Sequence, residues 1–395
     1  MARTIAIGID IGTYQTRIVA AEIAREGERE LPKVVGVGFS ESRGLRHGYI
    51  LNQPDAVKSV KQAVAQASKA VGLPIKQAIV SIGGIGLSSL TSTGTVVITR
   101  ADSEITELDV KKAVETSRQE IPATLSQNRQ LLHTVPLHFK VDGEITLGKP
   151  EGLKGSKLEV KTLFITAFKQ HVDDLLETLE EAGIEVEEGN LVAAPLAASL
   201  VTLTKQQKMA GVVLANIGSE TVSIVVFENN LPLSLEIFPI GSNDITNDIA
   251  LGLRVPLEEA EDIKRGSIVG GNFSRKKLEE IVEARLSDIF ELIEAHLKKL
   301  GRSGLLPAGI VLTGGGSAIE TVDDLAKAAL RLPSRVASIS FGDNIRGQIK
   351  DASWSVAYGL CILGLNTGES ESVSGMRLVK QTKNGVVSFL RQFLP

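Results

Sequence analysis

Three glycine-centred turns hold the residues of this chain whose types and spacing suit phosphate chemistry. The first is Asp10-Ile-Gly-Thr13, set between β-rich apolar runs at 5–11 and 15–22. The second is Asn216-Ile-Gly-Ser-Glu-Thr221, set between runs at 212–217 and 222–228. The third, Gly314-Gly315-Gly316-Ser317, follows an apolar run at 308–313 and precedes a helical pattern through Leu325 and Ala329. Glycine lets the backbone come close to a ligand, and successive N–H groups then converge on one anion. A small hydroxyl such as Thr13 adds a donor, and a carboxylate on the preceding strand, Asp10, can hold Mg²⁺ through water. Two such turns facing each other would clamp a polyphosphate, although either one alone reads first as a plain β-hairpin. A strand–glycine loop–helix unit lets a flat ring or ribose approach the backbone. No Lys follows these glycines as a Walker loop requires, and their spacing is not G-x-G-x-x-G.

The elements that must carry these turns repeat. Aligned on Gly12 and Gly218, Ile11 matches Ile217, Ile18 matches Ile224, Val19 matches Val225 and Glu22 matches Glu228. Asp10 then faces Asn216, and Thr13 faces Ser219. The repeat predicts a duplicated architecture built on two glycine hairpins. Between the strands, Ala56, Val57, Val60, Ala63, Val64, Ala67 and Val71 recur at helical spacing and stop at Gly72. Residues 169–182 read as a helix with Leu175, Leu176 and Leu179 inward and Gly183 closing it. A strand is expected at 95–99, and a helix opens at Thr106 with Asp109 placed for a capping box. Further helices are expected near 256–266 and 275–300. The class is α/β.

Composition narrows the function. The chain has 395 residues, 43% apolar and 23% charged, which excludes a disordered chain and suggests two or three folding units. A net charge of −4 argues against attraction to nucleic acid, and 4% aromatics are too few for a base-stacking surface. Cys361 is the single cysteine, so no internal disulfide and no Cys-rich metal site can form. Of the five histidines only His133 and His138 are close, and no zinc site is expected there. No apolar run reaches the ~18–20 residues of a spanning helix, and Asp10 interrupts any signal-like run. The expectation is a cytoplasmic protein that does not cross the membrane.

Its last residues still suit contact with a membrane. Residues 367–376 are small and polar and read as a flexible linker. Residues 377–395 contain Arg377, Lys380, Lys383 and Arg391 and no acid. On a wheel of ~100° per residue, Val386, Val387, Phe389, Leu390, Phe393 and Leu394 share one side, opposite Ser388, Arg391 and Gln392. So short a helix is marginal alone in water and needs a surface to fold on. A basic, aromatic-bearing amphipathic segment on a leash suits an anchor in an anionic membrane surface. The alternative is docking on its own protein.

The order of the three turns, with Ser42-Arg-Gly-Leu-Arg-His-Gly48, Leu132-His-Thr-Val-Pro-Leu-His-Phe-Lys-Val-Asp-Gly143, Gly241-Ser-Asn-Asp-Ile-Thr-Asn-Asp-Ile-Ala250, Ala260-Glu-Asp-Ile-Lys264 and Ala357-Tyr-Gly-Leu360, resembles the FtsA family of the actin-like ATPase superfamily. The likeness covers nearly the whole chain. It implies an actin-like (ribonuclease H-like) two-lobe fold with an FtsA-type inserted subdomain IC and a C-terminal amphipathic helix. Subdomain IA would hold 1–82 with 163–196 and 355–366, IC 83–162, IIA 197–245 with 308–354, and IIB 246–307. ATP would be bound through Asp10, Gly12, Thr13, Tyr14, Asn216, Gly218, Ser219, Thr221, Gly241, Glu261, Lys264, Gly314, Gly315, Gly316 and Ser317, with Asp10 toward Mg²⁺.

The resemblance also implies a head-to-tail filament and a place on the inner face of the cell membrane at the division septum. The FtsZ C-terminal peptide would bind on IIB, where Arg285, with Arg275, Lys276 and Lys277, could meet an acidic partner. Interleaved Glu279, Glu280 and Glu283 make a solvated face the alternative. The second turn departs from the family's Asp-x-Gly-Gly-Gly-Thr: Asn216 lacks the charge that helps place Mg²⁺, and Glu220 either adds a negative charge beside the expected γ-phosphate or turns outward and leaves its backbone N–H to the phosphate. Nucleotide binding is therefore expected with hydrolysis at most weak. Alternatives are a PilM-like pilus-assembly adaptor and a small-molecule kinase of the same superfold; the latter needs a general base, for which no candidate stands out.

Overall fold

The first glycine turn is the bend of a hairpin in the computed structural model, which describes residues 4–26, 29–187, 189–267, 273–339, 351–367 and 377–378. Strands β1 (Thr4–Ile11) and β2 (Gln15–Glu26) pair antiparallel from Ile5↔Glu22 to Ile11↔Thr16, and β3 (Arg29–Glu41) continues the sheet. A short hairpin, β4 (Leu45–Arg46) and β5 (Tyr49–Ile50), leads into helix α1 (Gln53–Val71). Asn52 caps α1 by accepting from the Asp55 N–H, and Gly72 ends it at φ 80, a left-handed conformation that glycine adopts without strain. Ala56, Val57, Val60, Ala63 and Ala67 of the expected stripe are buried against the sheet, and Val64 and Val71 are half-buried. Strand β6 (Ile79–Ile82) then returns parallel to β1.

An insertion follows. Strands β7 (Ser88–Val97), β8 (Arg129–Val141), β9 (Glu144–Ile145) and β10 (Lys157–Phe168) form a sheet of order β7-β10-β8-β9, packed by α2 (Glu107–Gln119), with the single-turn helix α3 (Ala123–Ser126) before β8. Helix α2 opens with the Thr106–Asp109 capping box. The strand expected at 95–99 begins earlier, at Ser88, because alternation in a hydroxyl-rich stretch carries little apolar signal. Strand β10 runs through the boundary expected at 162–163. Its Leu158 and Val160 fill the small core under α2, whereas Leu163, Ile165 and Ala167 join the main core. It passes directly into α4 (Lys169–Glu181), which buries Leu175 and Leu179. Strand β11 (Leu191–Ala193) completes a sheet of order β11-β6-β1-β2-β3.

The second lobe repeats the first. After α5 (Ala194–Thr202) and α6 (Lys205–Ala210) come β12 (Val212–Ile217), β13 (Val222–Glu228) and β14 (Leu231–Phe238). Helices α7 (Ser242–Leu253), α8 (Leu257–Lys264) and α9 (Arg275–Lys299) precede β15 (Ile310–Thr313), α10 (Val322–Leu330) and β16 (Ser334–Val336). The order β14-β13-β12-β15-β16 matches β3-β2-β1-β6-β11, with the same two antiparallel and two parallel pairings. Both faces of this sheet are covered. Val213, Ala215 and Ile217 pack with α7–α10, and Leu214, Val225 and Phe227 join the core shared with the first lobe. Burial on both faces explains the continuous apolar runs.

Helix α11 (Ser355–Thr367) closes the molecule over β1 and α5. It can approach so closely because a Cβ at Gly8 would overlap Ala357 O, and one at Gly359 would overlap Ala197 O. Strand β17 (Arg377–Leu378) lies parallel to β1 at Thr4 and Ile5. The linker beyond residue 367 and the amphipathic residues Val386, Val387, Phe389, Leu390, Arg391, Phe393 and Leu394 lie outside the described residues. Among the described residues no helix is long and apolar enough to cross a membrane.

Candidate functional site: a cleft between two glycine turns

Asp10 stands at the end of β1, paired in register with Arg17 on β2. The Ser81 hydroxyl, from β6, donates to Asp10 Oδ1 at 2.7 Å. Burial pushes the Asp10 carboxyl up, and Ser81 and Arg17 oppose that shift. The guanidinium of Arg17 lies 5.7 Å from the Trp354 ring centre. Thr13 Oγ1 accepts the Gly48 N–H at 3.0 Å, which anchors the β4–β5 turn to the first glycine turn. Gly12 and Gly218 prove equivalent in three dimensions. A Cβ would lie 3.0 Å from Gln15 O in one and 2.9 Å from Thr221 O in the other.

The second turn is laced to the start of α7. The Gly218 N–H donates to Thr221 O at 2.9 Å, the Ser242 N–H to Gly218 O at 2.9 Å, and the Asn243 N–H to Ser219 O at 2.8 Å. A Cβ at Gly241 would lie 2.5 Å from Ser219 O, so only glycine lets α7 sit this close. Asp244 completes the cap by accepting the Gly241 N–H at 2.8 Å. Glu220 is turned onto the opposite lobe. Its Oε2 accepts the His47 N–H at 2.5 Å, and His47 Nδ1 is 3.0 Å from Glu220 O.

In the third turn the glycines differ in what they do. Gly314 has φ 86 and ψ 172, a glycine conformation, and a Cβ there would overlap Asn216 Oδ1. A Cβ at Gly316 would overlap Ile217. Gly315 is exposed with nothing near its missing Cβ, so no contact within the protein calls for glycine there. The Ser317 hydroxyl donates back to Gly314 O at 2.7 Å and closes the loop. Thr313 Oγ1 joins the lobes at the floor of the cleft through Ala352 O at 2.8 Å and Ser355 Oγ at 3.1 Å.

On α8, Lys264 Nζ reaches Ser242 O at 3.0 Å, Thr246 Oγ1 at 2.7 Å and Glu261 Oε2 at 2.6 Å. Burial alone would raise the Glu261 carboxyl, but Lys264, Thr246 and Arg265 outweigh it and hold the group at about 2. Burial lowers Lys264, opposed by Glu261. Both residues thus brace α7 against α8 beside the cleft. Arg265, which follows the Ala260–Lys264 motif, donates to Glu261 Oε1 at 2.7 Å and across the cleft to the Tyr14 hydroxyl at 3.2 Å.

Arg285 stands apart from the cleft on α9. Its fork grips Asp248 of α7 at 2.7 and 3.1 Å, and its third nitrogen meets Asp288 at 3.2 Å. The guanidinium expected to receive an acidic peptide is therefore engaged within its own lobe. Arg275 and Lys276 pair with Glu279 and Glu280 along the same helix.

The structure thus gathers Asp10, Gly12, Thr13, Tyr14, Asn216, Gly218, Ser219, Thr221, Gly241 and residues 314–317 around one cleft, with Glu261 and Lys264 at its flank. His47, from the Ser42–Gly48 stretch, belongs to the same site, as do Ser81, Arg17 and Arg265, which carry no spacing signal. Only Ser81 could have been noticed, as the polar residue of an otherwise apolar strand. Glycine turns that let the backbone approach, a buried carboxylate and a hydroxyl fit a nucleotide with Mg²⁺.

Two matching sheets facing each other across such a cleft define the actin-like ATPase fold. Solved structures share it. The PilM–PilN type IV pilus biogenesis complex superposes with a TM-score of 0.66 at 18% identity, covering 91% of this chain and 98% of that one. MreB5 of Spiroplasma citri bound to ADP superposes at 0.51 and 13%, covering 91% and 96%. The chain belongs to the FtsA family. The family model "Cell division protein FtsA" matches residues 213–359, and that of the SHS2 domain inserted in FtsA matches 84–166. The Cell division protein FtsA of Pseudomonas aeruginosa is 31% identical over 394 residues, covering 93% of this chain and 92% of the relative. That of Bacillus subtilis is 32% identical over 356 residues, covering 85% and 79%.

Proposed function

We propose that this protein is an ATP-binding, filament-forming adaptor of cell division that tethers FtsZ to the inner face of the cytoplasmic membrane. The observation that carries the nucleotide part is the pairing of two equivalent glycine turns across one cleft, with Gly315 open between them. The first turn and the Gly314–Gly316 backbone would hold the phosphates and the nucleoside, with Asp10 toward the cation. Bound Mg²⁺ would neutralise phosphate charge and favour the ionised form of Asp10. Ser81 orients that carboxyl, and Glu220 and Arg265 hold the lobes together around it. Asn216 cannot supply a second carboxylate, so hydrolysis is weak or absent and ATP serves as a structural ligand.

Family membership supports FtsZ binding and self-association through the inserted subdomain. The basic, amphipathic pattern of 377–395 supports peripheral attachment, strengthened by avidity in a filament. The PilM-like reading rests on the shared fold, and membership of the FtsA family weighs against it. Calorimetry with Mg²⁺-ATP should give saturable binding, and anionic liposomes should carry the protein and an FtsZ C-terminal peptide down together. Phe389→Glu with Phe393→Glu should abolish pelleting while leaving the circular dichroism spectrum unchanged. Pelleting that survives both changes would overturn the anchor, and absence of ATP binding would overturn the nucleotide assignment.

A further inference from the structure

Two bonds of this structure run from one lobe to the other across the mouth of the cleft, and neither pairing is announced by the sequence. The first joins His47 of the β4–β5 turn to Glu220 of the second glycine turn, through the His47 N–H to Oε2 at 2.5 Å and His47 Nδ1 to Glu220 O at 3.0 Å. The second joins Tyr14 to Arg265, through a 3.2 Å hydrogen bond to the hydroxyl and a guanidinium 5.7 Å from the ring centre.

The His47 end of the first bond is locked into its own lobe. His47 sits at φ 48, a conformation that favours glycine, between Gly48, whose N–H is bound to Thr13, and Ile85, whose N–H donates to His47 O at 3.2 Å. Gly48 is pressed so close to Gly84 that a Cβ would overlap it. The turn therefore cannot follow Glu220 if the lobes part. On the far side Ser219, next to Glu220, accepts from Asn243 of α7. Arg265 is likewise pinned by Glu261 Oε1 at 2.7 Å. Parting the lobes beyond the reach of the Glu220 and Arg265 side chains breaks both bonds.

We propose that His47–Glu220 and Tyr14–Arg265 form a two-point clasp over the cleft that sets how fast bound nucleotide leaves. The inference rests on the nucleotide reading above and assigns Glu220 a task different from catalysis. A carboxylate in this turn would repel a phosphate if it faced one. Here its charge is spent on a backbone N–H of the other lobe. A charge-assisted hydrogen bond of this kind is worth about tenfold or more in an equilibrium.

The test uses the full chain loaded with a fluorescent N-methylanthraniloyl ATP and Mg²⁺, chased with excess ATP in a stopped-flow instrument. Glu220→Ala should release the label about tenfold faster than wild type. Glu220→Gln, which keeps an acceptor without the charge, should stay within about threefold of wild type. Tyr14→Phe, which keeps the ring and loses the hydroxyl, should accelerate release about threefold. If charge repulsion alone governed Glu220, both its variants would slow release equally, and that result overturns the clasp. Equal release from wild type and Glu220→Ala overturns it as well.

Amide hydrogen exchange of the segment 45–50 without nucleotide gives a readout independent of binding. Glu220→Ala should raise exchange at His47 and Glu220→Gln much less. Unchanged exchange refutes the clasp even where ATP binds. Wild-type protein that binds no labelled ATP, yet shows the exchange difference, would sink the nucleotide reading and the exchange role with it while leaving the interlobe bond.

Discussion

Gly314 and Gly315 are neighbours whose substitution should fail in different ways. Gly314→Ala forces an L residue into φ 86 and ψ 172, at about 1–3 kcal/mol. It also drives a Cβ into Asn216 Oδ1 and to 2.5 Å from Ile217 O, both parts of the second turn, at about another 1–3 kcal/mol. The expected loss of stability is about 2–6 kcal/mol. Gly315→Ala meets no protein atom within 4 Å and needs no positive φ, so stability should stay within about 0.5 kcal/mol. If the Gly315 backbone is where a nucleotide comes close, the new methyl group should instead weaken Mg²⁺-ATP by about 1–3 kcal/mol, roughly 5- to 150-fold. Urea denaturation and calorimetry on the same two variants separate these effects. A Gly315→Ala protein that binds ATP as wild type does would refute backbone approach at that point. A Gly314→Ala protein of unchanged urea midpoint would refute the packing of the third turn on the second.

Asp10→Asn should keep the bond to Ser81 and weaken Mg²⁺-ATP about tenfold, because the cation loses its carboxylate. Burial raises the folded-state affinity of Asp10 for its proton, so its contribution to stability is fully present below the unfolded pKa of about 3.9 and is lost as pH rises through the folded value. Without Mg²⁺, thermal denaturation of wild type against Asp10→Asn should therefore favour the variant at neutral pH, with the gap closing in acid; a gap that widens in acid would contradict the buried carboxylate. Arg285→Ala should cost about 1 kcal/mol in urea by releasing Asp248, and affinity for an FtsZ peptide should fall only as far as α7 and α9 loosen. Intact stability with binding abolished would return Arg285 to the peptide site.

The local elements of this protein are set by its sequence alone. Asn52 and Gly72 bound α1, Thr106 and Asp109 open α2, and the matched hairpins around Gly12 and Gly218 foretell two like sheets, because caps, turn glycines and apolar periodicity act within a few residues. The family-specific motifs carried the fold class and the list of cleft residues. Tertiary structure decided what depends on neighbours distant in sequence. It buried Asp10 against Ser81 and Arg17, engaged the Arg285 fork with Asp248, and folded Lys264 and Glu261 onto each other. It carried β10 through an expected subdomain boundary, since one strand can serve two cores. It also turned Glu220 away from the expected phosphate and onto His47, 173 residues distant. Nothing in either local sequence marks that partner, because the direction of a side chain and the donor it meets are properties of two lobes brought together, and only the packing of both sheets brings them within a hydrogen bond.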